Sequence, residues 1–526
     1  MTQLRKLFEP IKIGNVELKN RILMLALALE YTENDQVTER VKNFYLARAK
    51  GGAGLITVGI LPPIPIGKPH SNRLGIYHDR FIPGLREVVK LIHDHGAKAA
   101  AQIGVEEGGA LKEGGTFEHL SASDVPPRKG LPSPHALTVE EIAQVAAAFG
   151  DAIRRAREAG FDMVEVHAGI GFLINRFLSP VTNRRTDQYG GSLENRMRFL
   201  TEIIRSAQQK AGKDYVLMCR ISGEEFMEGG MTLKETAPMA AAMERAGIQA
   251  LDVQAGWHES PVPLVQMSVP RGAFVYVAEG IKKAVKIPVA AAYRISDPLL
   301  AEQILVEGKA DLIGMGRALI ADPDLPNKAR EGNIEDIRTC IACNHCLDQI
   351  FEEKPVACAI NAQTGHEAEY AINPASKPKT VVVVGAGPAG LEAARVAALR
   401  GHRVTIMEQG EKLGGNLLVA AIPPHKEEIA CFTSYLTAQV KKLGISVKLR
   451  TPVTAQAVLA QKPQAVIVAA GGSPLIPDIP GARGKNVVTA MDVLTGKAKT
   501  GQRVVMVGGG MVGCETAEVL AAQGKE

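Results

Sequence analysis

Long apolar runs are missing from this 526-residue chain: none reaches the roughly 18 residues that a membrane-spanning helix needs. No secretory leader is expected, and seven cysteines in a chain of this length are too few for a disulfide framework. A strong excess of charge is also absent. The formal net charge is +5 and the basic residues are not clustered, so nothing points to nucleic acid. These deficits predict a soluble, cytoplasmic protein that engages neither membrane nor nucleic acid. The length suits three domains, and an apolar fraction of 46% is ample for large cores. Glycine is abundant, at 53 residues, as expected where turns approach phosphates closely.

The cysteines that are present concentrate in one place. Cys340, Cys343, Cys346 and Cys358 follow the spacing C-x₂-C-x₂-C-x₁₁-C. Three close thiolates plus one distant thiolate suit a cubane 4Fe–4S cluster. Structural zinc, the alternative, usually shows two separated CxxC pairs. Cys219, Cys431 and Cys514 lie in apolar stretches and read as buried packing residues.

Upstream of the cysteines run eight β-then-α repeats. Candidate strands begin near Arg21, Gly54, Ala97, Phe161, Tyr215, Gln249, Ile287 and Asp311, with amphipathic stretches such as 142–158 and 194–211 between them. Short apolar runs bounded by Gly or Pro suit buried parallel strands, and eight such units predict a TIM barrel whose site lies at the C-terminal strand ends. That rule selects Gln102, His167, Arg220, the run Trp257-His258-Glu259, Arg294, Gly316 and Arg317. Glycine and arginine after the last two strands suit a phosphate site. A Gln amide and an Arg at the mouth suit the polar edge of an isoalloxazine; alternatively they satisfy loop carbonyls.

Downstream, Val381–Val384 precede Gly385-x-Gly387-x-x-Gly390, and Glu408 follows at the end of a second strand. Strand before, helix after and an acid at this distance predict a dinucleotide fold. Glycines admit the pyrophosphate, and the carboxylate takes ribose hydroxyls. Gly415, Asn416 and the glycines at 471–472 add close-approach turns, consistent with FAD or ADP. A second fingerprint, Gly508-x-Gly510-x-x-Gly513, opens a nicotinamide-type domain of which only the beginning is present. The predicted organisation is 1–335 barrel, 336–372 cluster segment, 373–500 FAD/ADP domain and 501–526 the start of an NAD(P) domain. The fold class is α/β throughout.

Several stretches together resemble the iron–sulfur flavoproteins of the old yellow enzyme superfamily: Leu18–Arg21, Gly171–Phe177, Thr182–Arg196, Gly256–Glu259, Pro270–Phe274 and Cys340–Phe351. The 2,4-dienoyl-CoA reductases are the near branch and the trimethylamine dehydrogenases a more distant one. The resemblance implies FMN in the barrel mouth against Ala26, Leu27, Gln102, Arg220, Arg294, Gly316 and Arg317. It implies electrons running from NAD(P)H through FAD and a 4Fe–4S cluster to FMN, and from there to the C=C bond of an unsaturated or aryl CoA thioester. His258 matches the family's proton-donating histidine; Ile170, Phe172, Trp257 and Arg271 fall at the substrate.

Departures from the family pattern bear on the chemistry. Where the family carries a proton-donating tyrosine this chain has Phe172, and Ile170 offers no hydrogen bond. After Gln102 the usual H-x-G-R run is replaced by Ile103–Gly109. His258 is therefore expected to donate the proton, aided by water or Tyr31. Amine dehydrogenation is disfavoured because residues 24–31 hold no cysteine to anchor a flavin. A catalytically silent electron-transfer flavoprotein is the third reading. If the C-terminus is real, an external electron donor would be required. Charged surface helices permit self-association without demanding it.

Overall fold

The computed structural model describes residues 4–65, 73–106, 119–126 and 130–526; the end of the 103–109 run lies outside these. It divides into two compact units, Met1–Ile334 with Ala342–Tyr370, and Glu335–Ile341 with Ala371–Glu526.

Each of the eight apolar runs forms a strand of one closed, all-parallel barrel: Ile22–Met24, Leu55–Leu61, Lys98–Ile103, Met163–Ala168, Val216–Ser222, Ala250–Gln254, Val289–Ala291 and Leu312–Met315. Closure is made by the eighth strand pairing with the first, Ile313 beside Ile22. Every residue of the second and fourth strands is buried, because helices cover the sheet outside and side chains fill it inside. The intervening helices are sharply delimited. A capping box of Thr138 and Glu141 starts Val139–Ala159, which stops at Gly160 with φ 95°. The same device, Thr232 with Glu235 and then Gly247 at φ 112°, brackets Leu233–Ala246.

Side-chain alternation divides the barrel interior into layers. Leu23, Leu55, Ala100, Met163, Val216, Ala250, Ala290 and Leu312 pack together with Ile13 and Leu18 of an N-terminal hairpin, Ile11–Ile13 paired with Val16–Leu18. The hairpin plugs the N-terminal end of the barrel with apolar side chains. Two residues further along four of the strands, the third to the sixth, the interior turns polar: Gln102 after Ala100, Glu165 after Met163, Arg220 after Met218, Asp252 after Ala250.

The 342–370 extension lies against the first and eighth barrel units. Val356 N donates to the Leu29 carbonyl at 3.0 Å and Tyr31 Oη to the Val356 carbonyl at 2.5 Å. Asn361 Nδ2 reaches the Ile320 carbonyl at 2.9 Å and Arg40 Nε the Gly365 carbonyl at 2.7 Å. Arg48, fully buried over the face of Phe44 at 3.6 Å, pairs with Glu367 at 2.5 Å.

The second unit is built on a four-stranded parallel sheet, in spatial order Ser446–Lys448, Arg403–Met407, Thr380–Val384, Ala465–Val468. Helices Pro388–Leu399 and Glu427–Lys442 bury Leu391, Ala394, Leu436 and Val440 against Val381, Val383 and Ile406. After the second glycine fingerprint the helix Met511–Ala522 forms, and Val505 and Val507 ahead of it are exposed. One expectation is corrected here. Cys219 is buried as expected, but Cys431 and Cys514 are exposed.

Candidate active site

Strand parity brings a buried polar layer together just inside the C-terminal mouth. Gln102 Nε2 donates to Glu165 Oε1 at 2.7 Å. Arg220 Nε donates to Gln254 Oε1 at 2.9 Å and stands 3.4 Å from Asp252 Oδ2. Glu165 and Asp252 have no exposed surface. Burial, reinforced by the neighbouring Asp252, pushes the Glu165 carboxyl up to about 8, while Arg220 opposes the shift. Burial also raises Asp252. Burial disfavours the Arg220 cation, but Asp252 and Glu165 outweigh it and the guanidinium stays charged.

Above this layer three rings line up at the mouth. His167 lies 4.5 Å from Phe172, centroid to centroid, and Phe172 lies 5.5 Å from His258. His167 is buried and His258 exposed, so the row runs from the barrel interior to solvent. Burial holds the His167 imidazole well below its ordinary range, and Arg220 and His258 add to this. It is neutral at pH 7. Its Nδ1 accepts from Gly169 N at 3.4 Å, which leaves the proton on Nε2.

The turn that presents Phe172 is held from several directions. Gly171 N donates to Asn175 Oδ1 at 2.7 Å and Arg176 Nε to the Gly171 carbonyl at 2.7 Å. Asn175 Nδ2 in turn donates to buried Glu225 at 3.1 Å, whose carboxylate also takes Ser179 Oγ and Met231 N, each at 2.8 Å. These contacts account for the residue types in the run Gly171-Phe-Leu-Ile-Asn-Arg. Ile170 sits at φ 49°, a conformation strained for a β-branched side chain, with its N–H on Ser222 Oγ at 2.8 Å. Trp257 is fully buried beside Gly171, where an added Cβ would come within 3.0 Å of its ring.

The other selected residues are distributed around the mouth. Arg294 is buried and donates to the Val269 carbonyl at 2.9 Å; Arg271 pairs with Asp297 at 3.3 Å. Arg317 donates to the Val265 carbonyl at 2.9 Å and to Asn344 Oδ1 at 2.6 Å, which ties the eighth-strand turn to the residue after Cys343. A Cβ on Gly316 would meet only Leu27 and Leu25, at 3.4 Å or more, so its face is open. Ala26 is half-buried in the same loop, and Leu27 lines a small pocket with Leu29, Gly59 and Ile60. Tyr31 was expected to assist protonation; instead it is buried with its proton committed to the Val356 carbonyl, and burial further raises its pKa. The sequence reading passed over Glu165, Asp252 and Gln254. The signal was there: charged and amide residues near the C-terminal ends of otherwise apolar strands.

In the second unit the three glycines of the first fingerprint do three different things. Gly385, at φ 100°, makes the tight turn, and a Cβ on Gly390 would fall 2.0 Å from the Gly385 carbonyl oxygen. Gly387 caps the helix Pro388–Leu399 and has nothing within 4 Å of its Cβ position. That open face above a helix N-terminus suits a pyrophosphate. Gly508, Gly510 and Gly513 repeat the pattern: a φ of 109°, an open face, and a Cβ position 2.0 Å from the Gly508 oxygen. Gly415 approaches Gly387 closely, 2.8 Å from an added Cβ to the Gly387 Cα, with Asn416 following at the start of Leu417–Ala420. Glu408 accepts from Ala386 N at 2.7 Å and Gly410 N at 2.6 Å and so shapes the loop itself.

Of the four clustered cysteines, Cys343 is exposed and Cys340, Cys346 and Cys358 are partly buried. Left-handed Ala342 (φ 50°) and Asn344 (φ 61°) flank Cys343. Among the described residues no group of three or more His, Cys, Asp or Glu stands in a metal-holding arrangement.

Comparison with known proteins accords with both halves of the chain. Residues 6–336 match the NADH:flavin oxidoreductase / NADH oxidase family, and 356–462 and 379–526 match the pyridine nucleotide-disulphide oxidoreductase family. A metal reductase of Desulforamulus reducens is 45% identical over 98% of this chain and 78% of its own length. A cinnamate reductase of Clostridium sporogenes is 35% identical over 100% of this chain and 82% of its own. The structure of a 2-naphthoyl-CoA reductase with 2-naphthoyl-CoA superposes with a TM-score of 0.95 at 38% identity, over 100% of this chain and 82% of that one. No helix of the described residues is long and apolar enough to cross a membrane. A closed eight-stranded barrel with its polar layer at the C-terminal mouth, followed by a glycine-fingerprint nucleotide fold, belongs to the NADH:flavin oxidoreductase / NADH oxidase family, in its old yellow enzyme, iron–sulfur flavoprotein architecture.

Proposed function

We propose that the chain reduces a C=C bond conjugated to a carbonyl, in an enoyl-, dienoyl- or aryl-type CoA thioester, with NAD(P)H as the electron source. In this reading FMN occupies the barrel mouth near Gln102 and Arg220, FAD lies along Gly385, Gly387 and Gly390, and a 4Fe–4S cluster is held by Cys340, Cys343, Cys346 and Cys358. Together these groups supply conversion between two-electron and one-electron transfer. The fit of the thiols rests on donor type and spacing. The fit of the nucleotide rests on the open face of Gly387.

One observation carries the reading: the row His167–Phe172–His258. A neutral, buried imidazole with its proton on Nε2 is a hydrogen-bond donor suited to a substrate carbonyl, which polarises the conjugated bond. Solvent-connected His258 is placed to deliver a proton to the α-carbon and to recover it from water. Phe172, buried between them, excludes water and presents an apolar edge to an acyl chain or aromatic ring.

The test is anaerobic mixing of the reduced, cofactor-loaded chain with a panel of enoyl-, dienoyl- and aryl-CoA esters, followed by flavin absorbance. Rapid reoxidation by one class supports the proposal and names the substrate. His258→Ala should then lower turnover by about 10²-fold and flatten its pH profile. A chelated ferric salt belongs in the panel. If it alone reoxidises the flavin, the alkene reading fails in favour of metal reduction.

A further inference from the structure

Outside the row of rings, the least ordinary feature of the barrel is the carboxyl pair beneath the mouth. Glu165 comes from the fourth strand and Asp252 from the sixth, with Arg220 on the strand between them. Among the described residues no backbone, hydroxyl or amide donor reaches Glu165 Oε2 or either Asp252 oxygen. The groups that face the pair are Gln102 from the third strand, Cys219 and Arg220 from the fifth, and Tyr293 after the seventh. His167 faces Arg220 from above. Only Arg220 is cationic. Cys219 is held protonated by burial and by the two carboxyls. Burial also keeps Tyr293 protonated.

A sealed layer with two carboxyls and one guanidinium balances only one negative charge. A second uncompensated carboxylate there is strongly disfavoured, whereas a proton placed between the two acids removes that charge and gives the donor-less oxygens a hydrogen bond. Two acids held close in a water-free site share a proton for the same reason in any fold.

We propose that Glu165 and Asp252 hold a single proton between them and, with Arg220, keep the layer beneath the flavin site electrically neutral, so that losing this proton makes the bound flavin harder to reduce. The two acids are positioning residues: they act on the flavin through Arg220, beside Asp252, and Gln102, which is bonded to Glu165. A flavin gains negative charge on reduction, and an unbalanced carboxylate below it opposes that gain. The inference rests on FMN occupying the mouth and uses no alkene substrate, so its outcome is independent of the thioester assay.

The experiment uses the full-length, FMN-loaded chain. Its FMN reduction potential is measured against pH by dye equilibration, alongside infrared spectra in H₂O and D₂O. The wild type should show the C=O stretch of a protonated, buried acid at neutral pH. Its potential should fall more steeply around pH 8, where that band disappears. Asp252→Asn and Glu165→Gln each leave one carboxylate opposite Arg220. Both should lose the band and the steep segment, whereas the contribution of any other buried acid, such as Glu225, would persist. The double variant, with Arg220 unbalanced, should be easier to reduce at every pH. Retention of band and steep segment in both single variants overturns the proposal. So does a wild-type potential that crosses pH 8 without steepening, a measurement that decides the matter even if the variants do not fold.

Discussion

Replacing Gly387 and Gly390 by alanine, one at a time, separates nucleotide binding from folding in the second unit. On Gly390 the new methyl would sit 2.0 Å from the Gly385 carbonyl oxygen and 3.4 Å from Ala469 Cβ. Backbone cannot yield as a side-chain tip would, so the helix Pro388–Leu399 must move off the sheet, at a cost of about 1–3 kcal/mol for overpacking. On Gly387 the same methyl meets no atom within 4 Å, and the backbone, φ −73° and ψ −179°, is one any residue adopts. Alanine there narrows the unfolded ensemble, a gain of about 0.4–1 kcal/mol, offset by a few tenths for a poorer N-cap. Stability should change little. What Gly387→Ala changes is the space above the helix N-terminus, so FAD affinity should fall at least tenfold. Hydrogen exchange of the Thr380–Val384 and Pro388–Leu399 amides reports stability, and fluorescence titration of the apoprotein with FAD reports binding. Equal destabilisation by both variants would refute the assignment of roles to the two glycines. So would wild-type FAD affinity in Gly387→Ala.

Arg48→Met should destabilise the first unit by about 3–5 kcal/mol, because Glu367 loses its cation in a buried setting; thermal melting and faster alkylation of Cys358 would register it. Glu165 has a folded-state pKa raised from 4.5 to about 8, so the stability that its protonation contributes is complete below pH 4.5 and is lost as pH rises through about 8. Urea midpoints should fall across that window, and Glu165→Gln should flatten the fall. Phe172→Tyr places a hydroxyl between His167 and His258 and should restore turnover to a His258→Ala background by about tenfold; an unchanged double variant would place the donor elsewhere.

Much of this molecule was legible in its sequence, for physical reasons. A strand buried on both faces must be apolar along its length, so the eight barrel strands showed as short Val/Ile/Leu/Ala runs between glycines. The rule that barrel chemistry gathers at C-terminal strand ends then singled out Gln102, Arg220 and His258 without coordinates. Fingerprint glycines announce themselves because no other residue tolerates a methyl-to-carbonyl separation of 2.0 Å at Gly390. Other features escaped the reading. Cys431 and Cys514 looked buried because their helices are apolar in sequence, yet which face of a helix is covered depends on a neighbour that sequence does not name. Tyr31 looked available as a proton donor until the 342–370 segment was seen to take its hydroxyl.

Local pattern by itself determined the barrel, the nucleotide fold and the candidates at their functional ends, since periodicity and steric demand act between near neighbours in the chain. The tertiary structure alone decided which polar groups meet. Glu165 and Asp252 are 87 positions apart in sequence, on strands that closure of the barrel brings to either side of Arg220. The exclusion of water from that layer, which no single strand can achieve, is what turns two ordinary carboxylates into a pair with room for only one charge.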